Sequence, residues 1–171
     1  MKHFTFQLAV KKYVQKYFTS MYGPAIPARM ETDIGFVILN TLASKLEAQV
    51  CRGYNNQFKN PYQAKLVFTL SFHYFYLIKK EVSVQTGILL NRYLENKFEE
   101  ALSIHVEKCV ARGGEIKQAI EEFCQLYKIG IDEDVSFDAL KKMEYRSRKK
   151  NLQNNLCRLS PEQNLFSSAV A

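Results

Sequence analysis

The sequence predicts a mainly helical, α+β single domain with a minor two-strand element and a basic C-terminal helix. Three observations carry this. Most of the chain repeats apolar residues at helical spacing. Two short stretches alternate apolar and polar residues with period two. Gly and Pro pairs punctuate the helical segments. With 171 residues, 47% of them hydrophobic and 24% charged, the chain can bury one sufficient core without a disulfide or metal staple.

The first element is a short strand, because Phe4, Phe6 and Leu8 alternate with Thr5, Gln7 and Ala9. The period then changes. Val10, Tyr13, Val14, Tyr17, Phe18 and Met21 follow helical spacing until Gly23-Pro24 stops the helix, and Pro27 keeps the connection irregular. The competing reading is one helix through residues 4–22. Thr32 or Asp33 caps a second helix, whose stripe is Ile34, Val37, Ile38, Leu42, Leu46 and Val50. Arg52–Gln63, with its Gly, Asn and Pro, reads as a loop.

Leu66–Ile78 is rich in aromatic and branched side chains. Phe68, Leu70, Phe72, Tyr74, Tyr76 and Ile78 alternate there with Thr69, Ser71 and His73, which predicts a long strand able to pair with the first. His73 reads as a core or boundary residue. A solvent-facing row of Tyr74 and Tyr76 beside Lys79 and Lys80 would instead suit base stacking. A long helix follows from Ser83 or Thr86 to Arg112. Leu90, Leu94, Phe98, Leu102, Ile104, Cys109 and Val110 face inward, and Glu95, Lys97, Glu99, Glu100, Glu107 and Lys108 form a solvated, salt-bridged side. The near-heptad spacing of Leu90, Leu94, Phe98 and Leu102 suits packing within the chain or against a second copy in a homo-oligomer.

Gly113-Gly114 breaks that helix and Glu115 opens the next, with Ile116, Ala119, Ile120, Phe123 and Tyr127 on one face and Gly130 as its stop. Asp132, Asp134 or Ser136 caps a last helix reaching about Lys150. Residues 1–150 thus form the domain. Residues 151–171 form a flexible tail, or a short terminal helix begun by the capping box Ser160-Pro161-Glu162-Gln163.

Composition excludes several classes. Met1–Phe6 lacks an apolar region followed by a cleavage site, and neither Ile34–Leu42 nor Leu66–Ile78 reaches the ~20 residues that span a bilayer. A cytoplasmic protein without membrane contact is expected. Cys51, Cys109, Cys124 and Cys157 form no CxxC and no zinc spacing, and Cys109 and Cys124 read as packing residues. His105 reads as a solvated helix position. Asp132, Asp134, Ser136 and Asp138 start like a calcium loop, but Phe137 replaces the required Gly and Met143 the required Glu. The seven glycines form no phosphate-cradling motif. No catalytic, cofactor-binding or metal set is expected, and the protein is read as a non-enzyme.

The charge is the informative feature. Lys141–Lys150 holds six cations and one carboxylate, so it supplies +5 of the net +7. At about 100° per residue, Phe137, Leu140 and Met143 form an inward stripe. Lys141, Lys142, Tyr145, Arg146, Arg148 and Lys149 then form one outward face, continued by Lys150. Phosphate is the natural partner of such a face, and Tyr145 can bond a phosphate or stack on a base. The bland reading is a solvated helix end whose cations suit the helix dipole.

Ile116–Lys150, a helix, a turn and a basic helix, resembles the helix-turn-helix segments of phage and mobile-element DNA-binding proteins. The resemblance implies that Lys142 and Arg146 reach base edges in the major groove. The stretch from Ile129 to Ser136 is longer than the usual turn of three or four residues. The expected function is non-catalytic binding of double-stranded DNA. The alternative is an interaction or structural module in which the same helix meets an acidic protein, and a third reading is an enzyme with a scattered site.

Overall fold

The computed structural model describes residues 3–43, 62–75 and 84–159. Among them the chain is mainly α with a minor β element. Strand β1 (His3–Val10) is followed by α1 (Lys12–Tyr22), β2 (Ala25–Pro27) and α2 (Asp33–Ala43). Strand β3 (Ala64–Ser71), the short α3 (Phe72–Phe75), the long α4 (Val84–Ala111), α5 (Ile116–Leu126) and α6 (Phe137–Leu159) complete the order.

Strand then helix is the arrangement at the start, not one continuous helix. Along β1, Leu8 and Val10 are buried while Thr5, Gln7 and Ala9 are exposed, as the period-two pattern requires. β1 pairs antiparallel with β3 from His3 opposite Ser71 to Val10 opposite Ala64, and Phe6 stacks on Phe68 with ring centroids 4.9 Å apart. On β3, Ala64, Leu66, Phe68 and Leu70 are buried in alternation.

Two expectations are corrected here. The predicted strand over Leu66–Ile78 ends at Ser71, where its partner β1 begins at His3, and Phe72–Phe75 turn into a helical segment. A strand beyond the last ladder partner would leave its backbone groups unpaired. His73 is exposed there rather than core. The sheet also has three strands, not two. Ala25–Pro27 adds to β3 in parallel, in the order β1-β3-β2. Pro27 can sit in β2 because β2 is an edge strand. Tyr76, Ile78, Lys79, Lys80, Leu46, Val50, most of the predicted loop over 52–63, Cys51 and the capping box at 160–163 lie outside the described residues.

α1 buries Tyr13, Val14, Tyr17 and Phe18 and is closed by Gly23 at φ +86°. α2 is capped by Thr32, whose Oγ1 accepts the Gly35 N–H at 3.1 Å. Gly35 packs directly on the Arg29 backbone, where any Cβ would overlap it.

α4 is the spine. Leu90, Leu94, Phe98, Leu102 and Val106, spaced by four, are all buried within the chain. That stripe therefore serves the intramolecular core and not a second copy. Ile104 and Val110, expected inward, are exposed because they lie off this row. Asn91 on the same helix donates to Ala9 O and Gly87 O at 2.9 and 3.0 Å, which ties α4 to the end of β1. The predicted solvated side is only partly so: Lys97 pairs with Glu100, but Glu95 is largely buried and pairs with Lys11 at 2.8 Å.

Among the described residues an aromatic cluster joins α1, α4 and α5 in the core. Tyr17 of α1 touches Phe98 of α4 and Phe123 of α5, with centroids 5.5 and 6.0 Å away, and meets Tyr127 at 4.7 Å. Such tilted and offset contacts suit the ring quadrupoles. α5 ends at Leu126, before the expected stop at Gly130. Lys128, at φ +55°, takes the left-handed position, and Ile129 N–H returns to Cys124 O at 2.8 Å. No helix among the described residues is long and apolar enough to cross a membrane.

Candidate functional site

The basic helix α6 begins where Ser136 Oγ accepts the Ala139 N–H at 3.3 Å, so Ser136 is the cap. Asp138 in the first turn faces the positive helix end. Of the other candidate caps, Asp134 is used elsewhere. Its buried carboxylate accepts the Gly130 N–H at 2.7 Å and pairs with Lys16 of α1. Burial pushes that carboxyl up, but Lys16 and the Gly130 N–H outweigh it and hold Asp134 below the usual carboxylate range. This locks the α5–α6 connection to α1 and sets where α6 starts.

The helix docks on the core through Leu140, which is fully buried, and through half-buried Phe137 and Met143. These are the three inward residues that the spacing predicts. A fourth was passed over. Glu144 is 2% exposed and lies between them. Its Oε1 accepts no hydrogen bond, and Arg148 Nε, one turn on, stands 3.3 Å away as an ion pair without hydrogen-bond alignment. The signal was available, since residue 144 falls about 40° from Leu140 on a helical wheel.

The outward side holds Lys141, Lys142, Tyr145, Arg146, Lys149 and Lys150, all exposed, with Tyr145 at 57%. Arg148 is half-buried beside Glu144 and belongs less to this face than its position on the wheel implies. The cations also divide by their acidic neighbours. Burial and Glu95 push the Glu99 carboxyl of α4 up, while Arg146, Lys11 and Lys150 pull it back in part. Arg146 and Lys150 thus favour the charged form of Glu99 without forming an ion pair with it. Lys141, Lys142 and Lys149 make no ion pair among the described residues. A groove of about 450 Å³ runs beside them, lined by Ile116, Asp138, Lys141, Glu144 and Tyr145 among others.

No family model, curated protein sequence or solved structure matches the chain. The site is therefore read from its own geometry.

That geometry differs from a helix-turn-helix unit in two ways. The connection from Tyr127 to Ser136 includes the capping turn and a bridge between Ile131 and Val135, well beyond three or four residues. α5 and α6 also pack chiefly on α4 and not on each other. What the fold brings together is a single exposed cationic helix face over Lys141–Lys150, and the α6 backbone itself runs past the expected end at Lys150 to Leu159.

A second group of polar side chains converges at the α4–α5 turn. His105 and Cys109 of α4 and Glu122 of α5 place their donor atoms within 4.8 Å of one another. In the sequence none of these reads as part of a group: His105 is expected as a solvated helix position and Cys109 as a packing residue. His105 and Cys109 are one helical turn apart, whereas Glu122 arrives from another helix.

Proposed function

We propose that the protein binds nucleic acid, double-stranded DNA in the first instance, through the outward face of α6, without catalysis. One observation carries this reading. Leu140, Phe137 and Met143 hold the helix on the core while Lys141, Lys142 and Lys149 are exposed with no carboxylate partner among the described residues. Cations left unpaired are the ones whose counterion exchange with phosphate gains free energy. Tyr145, exposed between them, supplies a hydroxyl for a phosphate or a ring for a base.

The mode is phosphate contact along one helix face. Fluorescence anisotropy with a labelled random duplex tests the reading. The Lys141→Gln, Lys142→Gln, Lys149→Gln triple variant should retain the fold, since none of the three is buried, and lose at least about tenfold in affinity. Unchanged affinity in a folded triple variant overturns it. Capture of an acidic protein with no affinity for duplex DNA favours the interaction-module alternative.

A further inference from the structure

We infer that His105, Cys109 and Glu122 form a three-ligand site for a zinc-like divalent transition metal, independent of the basic face of α6. His105 and Cys109 sit one turn apart on α4, so both side chains leave the same side of the helix. Cys109 Sγ lies 3.6 Å from His105 Nε2 and 3.8 Å from Glu122 Oε2. With Zn–S near 2.3 Å and Zn–N or Zn–O near 2.0–2.1 Å, a tetrahedral angle sets the sulfur about 3.6 Å from each neighbouring ligand atom. The two sulfur separations lie within about 0.2 Å of that value with no ion imposed, and all three donor atoms lie within 4.8 Å of one another.

The donor set is a mixed one: imidazole, thiolate and carboxylate. Zinc accepts all three, whereas magnesium and calcium take oxygen ligands. The surroundings support the ligands. Gln118 Nε2 donates to Glu122 Oε1 at 3.1 Å, which fixes the carboxylate and leaves Oε2 turned to the thiol. The His105 ring packs against Phe123, with centroids 5.5 Å apart, and so is held in place. The Gly113-Gly114 turn brings α5 back tightly enough for Gly114 N–H to reach Cys109 O at 3.0 Å. A cavity of about 210 Å³, bordered by Cys109, Gly114 and Glu122, opens beside two of the three donors and gives a fourth ligand room.

A cysteine-nucleophile arrangement fits less well. There the acid stands behind the imidazole and orients it. Here Glu122 contacts the thiol, so all three groups face a common point. A metal at that point links α4 to α5 and displaces the thiol proton to solvent.

The test uses the full chain with Cys51→Ser and Cys157→Ser, which removes the thiols outside the described side chains. Zinc alone is titrated against a chromogenic chelator, and cobalt replaces it for spectroscopy. One equivalent should bind, with a thiolate-to-cobalt charge-transfer band and a rise in Tm on adding zinc. Adding Cys109→Ser should remove the band and the Tm rise. Gln118→Ala should keep the band and weaken binding by about 10-fold or more. Cys124→Ser serves as the control, because that thiol is buried in the core, which pushes it up to about 11. If Cys109→Ser is poorly folded, Glu122→Gln at its exposed position should weaken zinc binding by about 10-fold or more and reduce the Tm rise. No zinc-dependent Tm rise in the parent chain, a cobalt band that survives Cys109→Ser, or zinc affinity unchanged in Glu122→Gln overturns the inference.

Discussion

Glu144 is buried beneath Arg148, its Oε1 3.3 Å from the guanidinium Nε and without a hydrogen bond. The basic helix is therefore anchored partly by a carboxylate drawn into the core side. A buried ion pair of imperfect geometry adds little net stability, while loss of one partner leaves the other charge uncompensated. Glu144→Met should thus leave stability unchanged or raise it. Arg148→Ala alone should cost about 1 kcal/mol, because Arg148 is part-exposed and water screens it. In the Glu144→Met background the same Arg148→Ala change should cost nothing measurable. Urea unfolding of the four proteins of this cycle reads the coupling.

The acidic turn gives a pH signature. Asp134 is held below its ordinary value of 3.8 when folded. A depressed carboxylate contributes stability that is complete above the unfolded pKa and lost as pH falls through the folded one. Asp134→Asn should therefore cost about 1–2 kcal/mol near neutrality, the usual worth of a charge-assisted contact. The gap between variant and wild type should narrow as the pH falls below 3.8. Tm measured across that range in both proteins checks the direction. A gap that stays constant would exclude the Lys16–Asp134 pair as its source.

Lys128 closes α5 with a left-handed backbone at φ +55°. A side chain in that conformation costs about 1 kcal/mol that glycine avoids. Lys128→Gly should raise stability by about that amount in thermal or urea unfolding, without altering the helix content.

Much of this fold is legible in the sequence because local patterns and burial agree. The alternation of Phe4, Phe6 and Leu8 and the four-residue spacing of Leu90, Leu94, Phe98 and Leu102 state their roles locally, whereas the choice of Ser136 among Asp132, Asp134 and Ser136 as the cap does not. The remainder depends on partners distant in sequence. Ala25–Pro27 is a strand only because β3 lies beside it, and β3 gives way to a helical segment after Ser71 although its alternation continues in the sequence. In the candidate site, the cations of α6 announce their face, but Glu144 reads as polar and so as exposed. Its burial follows from its angle beside Leu140, and the half-buried state of Arg148 follows from Glu144. Glu122 gives no signal at all until α5 folds back on α4.

The central claim is that the outward cations of α6 contact phosphates. The salt dependence of duplex binding, measured by anisotropy for the wild type and for the Lys141→Gln, Lys142→Gln, Lys149→Gln variant, tests it most directly. Each phosphate contact contributes about −0.9 to the slope of log affinity against log salt. The wild type should bind with a slope of about −3 or steeper, and the variant's slope should be shallower by about 2.7. Equal slopes in the two proteins, or no duplex binding by the wild type at low salt, would contradict the account.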